Sequence, residues 1–281
     1  MAPLAGASVR FGDEAPVATD ATGGFTLVTT DGSTRPLVVT APGFLTRETS
    51  LTGGVVRSDL QFDLLPSDPA FPLQQYRDVV RNMYERPNRP EPSRRWTNDP
   101  NLFVWTTWRD TGAEVNPAFV EYLVSEVRRF VPAWSDGRLQ LGRVETSPAE
   151  RPRRQGWINV QFDHSGNWSL LGEDPGWVQF AGDAMCQSIA IAHEFGHAMG
   201  YWHTRTRPSI MGGAPGSCSP TSLSASEMQI ARAMYGRAPG NLEPDKDGPP
   251  PLPAVFYGPS LAGAPSTPSP LLIRCDTLLR R

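Results

Sequence analysis

The chain has 281 residues, 39% of them hydrophobic and 20% charged, with a formal net charge of −3. At roughly 100–200 residues per domain, this length suits about two packed domains. No run approaches the ~18–20 apolar residues of a membrane-spanning helix, and the small net charge argues against a polyanion-binding surface. We therefore expect no membrane span and no nucleic-acid partner. The 29 prolines are about twice the usual share of roughly 5%, so linkers and turns should be prominent. Lys246 is the single lysine among 26 basic residues, a bias that reads as coding preference. Histidine is scarce at four residues, yet His193, His197 and His203 stand close together.

Residues 1–65 read as short strands at Ala7–Phe11, Val17–Thr19, Phe25–Thr29, Leu37–Thr40 and Asp59–Leu64. Turn signals separate them at Gly23-Gly24, Asp31-Gly32, Pro42-Gly43 and Gly53-Gly54. Such spacing predicts a small β-sandwich. Residues 66–96 read as a linker: Pro66, Pro69 and Pro72 lead into a short helix marked by Leu73, Tyr76, Val80 and Met83, and a Pro- and Arg-rich run follows. From residue 97 to 237 strands and helices alternate. Strands are expected at Leu102–Trp108, Leu139–Val144, Trp157–Phe162 and Trp177–Phe180. A first helix starts at Asn116-Pro117 with an apolar stripe of Phe119, Val120, Leu123, Val124, Val127 and Phe130. A second spans Cys186–Gly200, and a third runs from about Ser224 to Tyr235 with Ser224 and Glu227 spaced as a capping box. Residues 238–281 form a Pro-rich tail without sustained periodicity, for which disorder is the expectation.

Cys186, Cys218 and Cys275 match no four-thiolate zinc site. Cys186 and Cys218 flank the histidine cluster, so one bridge between them and two free thiols are both open. The opening MAPLAGASVR lacks the basic start and apolar core of a secretory signal.

The segment HEFGHAMGYWH fits H-E-x-x-H-x-x-G-x-x-H at every specified position. On a helix His193 and His197 stand one turn apart on one face, so both imidazoles reach one ion. Gly200 can adopt the left-handed conformation that ends a helix, which brings His203 to the ion from another direction. Three neutral nitrogens leave a fourth position for water, the arrangement of a catalytic zinc site. Glu194, beside His193, can take a proton from that water as general base and hand it to the leaving amine. One catalytic Zn2+ is thus the cofactor expected. His164 with Asp163 could hold a second ion, although a His in a polar loop is ordinarily just solvated. Asp163, Glu173 and Asp174 are the acidic residues from which a Ca2+ site would be built, but no oxygen-ligand loop supports one.

These residues make the second half of the chain resemble the metzincins, the zinc-endopeptidase clan of matrixins, astacins and serralysins. Ser209-Ile210-Met211 is similar to the clan's Met-turn, which implies that Met211 packs beneath the metal. The resemblance is to bacterial matrixin-like enzymes and covers about residues 97–237. It implies an α+β catalytic domain with a mixed twisted sheet and about three helices. It further implies that the strand before the zinc helix lies at the sheet edge and pairs with an extended peptide, a role falling to Trp177, Val178, Gln179, Phe180 and Ala181. Gly212 and Gly213 would line the adjoining pocket with Ala214 and Pro215. Two departures stand out: Gly213 occupies the place of a Tyr that astacins and serralysins carry, and no inhibitory cysteine motif precedes the domain. PLAGASV, TDATGGF, LVVTAPGF and LQFDLLP make residues 1–65 resemble a carboxypeptidase regulatory-like domain, a transthyretin-type sandwich. That family places a further strand before the Gly-Ala-x-Val segment, so the resemblance implies a truncated module. A secreted or cell-envelope location follows from resemblance alone.

The expectation is a zinc-dependent endopeptidase acting on a protein or peptide substrate through a zinc-bound water activated by Glu194. Two alternatives stay open from the same residues. One is a zinc hydrolase of a non-peptide amide; the other is a non-enzymatic extracellular binding protein with a vestigial zinc site. Oligomeric state is not legible.

Overall fold

A computed structural model describes residues 3–29, 32–54, 62, 64–67, 70–183, 188–212, 222–242 and 246, together with the backbone of Leu272–Arg274. The chain divides into two compact units, one of Met1–Leu73 with Gly236–Ser269 and one of Gln74–Tyr235 with Pro270–Arg281.

The first unit carries a four-stranded antiparallel sheet. Its strands are β1 (Ser8–Phe11), β2 (Val17–Ala18), β3 (Thr34–Thr40) and β4 (Arg47–Thr52), in the order β2-β1-β3-β4. Alternation along β1 and β3 buries Val9, Phe11, Leu37 and Val39 on one face, and Phe25, Leu27, Leu51, Phe62 and Leu64 pack against them. Phe25–Thr29 forms no strand; its apolar side chains join the core without its backbone joining the ladder. The strand expected at Asp59–Leu64 falls mostly outside the described residues. β4 went unread because RETSLT has no apolar alternation, yet six paired positions hold it to β3. Among the described residues there is one sheet here.

The second unit is α+β. After α1 (Leu73–Arg81) come β5 (Asn101–Trp108), α2 (Pro117–Trp134), β6 (Val144–Ser147), β7 (Trp157–Phe162), β8 (Trp168–Leu170), β9 (Gly176–Phe180), α3 (Ser188–Ala198), a single 3-10 turn at Ile210–Gly212, α4 (Ala225–Tyr235) and β10 (Leu272–Arg274). The sheet order is β10-β8-β9-β7-β5-β6. β6, β5, β7 and β9 run parallel, while β8 is antiparallel to β9, and β10 to β8. Every residue of β7 is buried, as expected for a strand covered on both faces.

Local signals explain the helices. Asn116 caps α2 by accepting from Ala118 N–H at 3.0 Å, with Pro117 in the first turn. The stripe Phe119, Val120, Leu123, Val127 and Phe130 is buried. The capping box at α4 is reciprocal: Glu227 N–H donates to Ser224 Oγ at 3.2 Å, and Ser224 N–H donates to Glu227 Oε2 at 2.8 Å. Two expectations shift. Leu139 and Leu141 are buried without forming a strand, which starts instead at Val144, and the tail contributes strand β10 at Leu272–Arg274.

Candidate metal centre

Helix α3 is fixed before any ligand enters. Trp134 Nε1–H donates to Ala192 O at 3.0 Å, Trp96 Nε1–H to Ala198 O at 3.0 Å, and Tyr235 O–H to Met199 O at 3.0 Å. The last two occupy carbonyls that a helix end leaves without partners. Gly200 stops the helix at φ +105°, where a Cβ would collide with the Arg94 carbonyl oxygen, so glycine is required on both conformational and steric grounds. Gly196 has a second reason: a Cβ there would run into Met211 Sδ and stand 3.2 Å from Trp134 Cζ2. Met211, buried at 1% exposure, therefore lies against the turn of α3 between the two helical histidines.

The three imidazoles meet. His197 Nε2 is 3.2 Å from His193 Nε2 and 3.2 Å from His203 Nε2. Each outer nitrogen has an acceptor: His193 Nδ1 faces Ile210 O at 2.7 Å, His197 Nδ1 faces Tyr201 O at 2.6 Å, and His203 Nδ1 faces Glu85 Oε1 at 2.5 Å. Carbonyl and carboxylate oxygens only accept, so Nδ1 carries the proton in each ring and Nε2 is left with its lone pair. Three lone pairs converging at this distance repel one another unless a cation lies between them. Tetrahedral zinc with Zn–N of ~2.0–2.1 Å asks for nitrogens about 3.3–3.4 Å apart, so the residues fit that ion. Burial, and after it the closeness of the His203 imidazole, pushes His193 down to about 4. Burial, then the closeness of the His203 and His193 imidazoles, lowers His197 well below its ordinary value. Both rings are therefore neutral at pH 7, the state in which imidazole binds metal.

Glu194 is buried at 1% exposure. Ser169 Oγ stands 2.7 Å from Glu194 Oε2 and 3.0 Å from its backbone oxygen, so the hydroxyl donates to the carboxylate or to that carbonyl. Gly172 N–H donates to His197 O at 3.0 Å. β8 and the turn after it thus lie directly along α3.

Residues read as linker also reach the centre. Besides Glu85, Trp202 N–H donates to Val79 O at 2.7 Å, and fully buried Asp78 accepts from Thr204 Oγ1 at 3.1 Å and Arg205 Nε at 3.1 Å. Sequence reasoning missed Glu85, Asp78 and Ser169, because a partner 118 positions away from His203 leaves no local pattern. Only the amphipathic spacing of α1 could have suggested that the segment packs at all.

The substrate-strand expectation is corrected. Trp177–Ala181 is not at the edge: β9 is bonded to β7 on one side and β8 on the other. The parallel-sheet position that buries Val178, Gln179 and Phe180 also consumes the backbone groups a substrate would need. Gln179 is spent internally, accepting from Gln161 Nε2 at 2.6 Å and donating to Gly166 O at 2.7 Å. Ala181 N–H donates to Asn167 Oδ1 at 2.8 Å, and Trp177 is half-buried. Gly212 is buried, and a Cβ there would collide with Thr206 O. Gly213, Ala214, Pro215, Cys186 and Cys218 lie outside the described residues. His164 stacks on Trp108 with ring centroids 3.9 Å apart and meets Asp110 Oδ2 at 2.8 Å. Among the described residues, His193, His197 and His203 form the one group with metal-ligand geometry, and no helix is long and apolar enough to cross a membrane.

A buried three-histidine centre of this kind is suited to a zinc ion with one open position. The family model of the astacin peptidases matches residues 146–210, which hold all three histidines and Glu194, and the match and the centre together support a zinc metallopeptidase. A metalloproteinase-II from Bacteroides fragilis, known from a crystal structure, is similar over 72% of this chain and 79% of its own, at 10% identity and a TM-score of 0.34. No curated protein matches the chain.

Proposed function

We propose that the chain is a zinc-dependent endopeptidase of the metzincin type, with His193, His197 and His203 as metal ligands, Met211 as the Met-turn residue and Glu194 as general base. The observation that carries the reading is the convergence of three buried Nε2 atoms, with Glu194 buried next to His193 in the same helix. When bound, zinc supplies Lewis acidity toward the attacking water and the scissile carbonyl. Glu194 takes the proton of that water at its carboxylate and returns it to the leaving amine. Ser169 orients the carboxylate by its hydrogen bond. With β9 enclosed between β7 and β8, an extended peptide would align along the far side of β8, the side that β10 takes in this structure, through main-chain hydrogen bonds. Residues 74–235 would form the peptidase, residues 1–65 an accessory module of the regulatory-like type, and a secreted or envelope location would suit both.

Peptide-library cleavage by zinc-loaded protein, compared with Glu194→Gln, tests the mechanism. Loss of about 10²-fold or more is expected for a general base, and equal turnover by the two proteins would refute it. Hydrolysis of non-peptide amides without peptide cleavage would replace the substrate class.

A further inference from the structure

The outer edge of the sheet beside the metal helix is closed by the chain itself. β8 gives one side of its backbone to β9 and the other to β10, with Leu272 opposite Leu170, Ile273 opposite Ser169 and Arg274 opposite Trp168. Without β10, β8 would be an edge strand, whose unpaired N–H and C=O groups accept another extended segment. Ser169 touches Glu194 Oε2 at 2.7 Å, and paired antiparallel residues lie about 4.5–5.5 Å apart. The backbone at Ile273 therefore passes one strand spacing from the residue that holds the general base.

On the substrate strand proposed above, the structure assigns Leu272–Arg274 of the same chain as the resident occupant of the outer edge of β8, which a peptide substrate must displace. The docking stands on the strand register; its consequence for substrate rests on the peptidase reading above. The occupant is read by its backbone, so an extended peptide of unrelated sequence competes for the same groups. Displacement is feasible because the ladder is only three residues long, against about 5–6 for an ordinary strand, and terminal short ladders open at little cost. The tail then sets the fraction of molecules whose edge is free, and the apparent affinity for peptide falls by that fraction.

The test keeps the full chain. Proline lacks the N–H that a ladder uses. Ile273→Pro removes it at one parity of the ladder, and Leu272→Pro with Arg274→Pro at the other, so one variant strikes the donors to β8. Hydrogen exchange at the amides of residues 168–170, with β7 as internal control for folding, should accelerate by about tenfold or more in that variant. Unchanged exchange in both variants overturns the docking. With peptide substrate, KM should fall about three- to tenfold while kcat holds; accelerated exchange with unchanged KM overturns the competition. A synthetic peptide of residues 270–277 carrying Cys275→Ser, so that no thiol can capture metal, should restore slow exchange when added to the variant. If neither wild type nor variant cleaves any peptide, the peptidase reading fails while exchange still decides the docking.

Discussion

Removing the Glu85 carboxylate isolates the contribution of a distant segment to the metal centre. His203 is 4% exposed, and its Nδ1 is held at 2.5 Å by Glu85 Oε1, whose side chain is 37% exposed. That bond keeps the proton on Nδ1 and the ring turned so that Nε2 faces the other two histidines. Loss of such an outer partner typically costs 10–100-fold in metal affinity, or about 1.4–2.8 kcal/mol. Because Glu85 is partly exposed, water can take its place, which puts Glu85→Ala at the lower end, about tenfold. Glu85→Gln keeps an acceptor but loses the charge, and charge-assisted bonds are about twice as strong as neutral ones, so a loss of a few-fold is expected. Competition for zinc against a chromophoric chelator at about pH 7.5, with circular dichroism as the folding check, measures both. Affinity of the Ala variant within twofold of wild type, or a Gln variant weaker than Ala, would refute the orienting role.

Gly196→Ala should destabilise by about 1–3 kcal/mol, since the added methyl overpacks the contact with Met211. Adding Met211→Ala should recover part of that loss, and strictly additive shifts in thermal midpoint would show that the two residues do not meet. The metal-free protein should weaken in acid. His193 titrates at about 4 when folded, against 6.5 ordinarily, so between these values the unfolded chain binds a proton that the folded chain does not. Its contribution is complete above about pH 6.5 and declines as pH falls toward 4, by roughly 2 kcal/mol at pH 5. His197 acts in the same direction. Urea unfolding of chelated protein at about pH 7.5 and 5.0, set against His193→Gln, measures the difference; an equal acid loss in the variant would refute the assignment.

How far the molecule could be read in advance depended on where the determining contacts lie along the chain. The three-histidine motif was legible because its parts are local: two histidines one turn apart, a glycine whose conformation ends the helix, and a third histidine six residues beyond the second. β7 and the α2 start were legible for the same reason, through an unbroken apolar run and an Asn-Pro cap. β8 was not, since Trp168-Ser169-Leu170 is too short to show alternation and is held by β9 and α3 rather than by its own composition. Missing β8 then misplaced the sheet edge, because a strand inserted beyond β9 moves β9 inward and converts its backbone from a surface into a ladder.

What the segment read as linker contacts was hidden for a related reason, with a larger consequence. Prolines before α1 and the Pro- and Arg-rich run after it look like spacer by composition, but what matters is what α1 buries: Asp78 is fully buried and meets Thr204 and Arg205 on the loop that follows His203. His203 comes after the helix has ended, so its ring cannot be aimed by helical geometry as His193 and His197 are. It needs an external scaffold, and α1 with Glu85 provides one from the other end of the unit. A site with two histidines on one helix and a third beyond its end is thus complete only when a segment more than a hundred residues earlier has docked. Metal affinity should accordingly report on the integrity of residues 74–91, whose sequence alone gives no sign of metal chemistry.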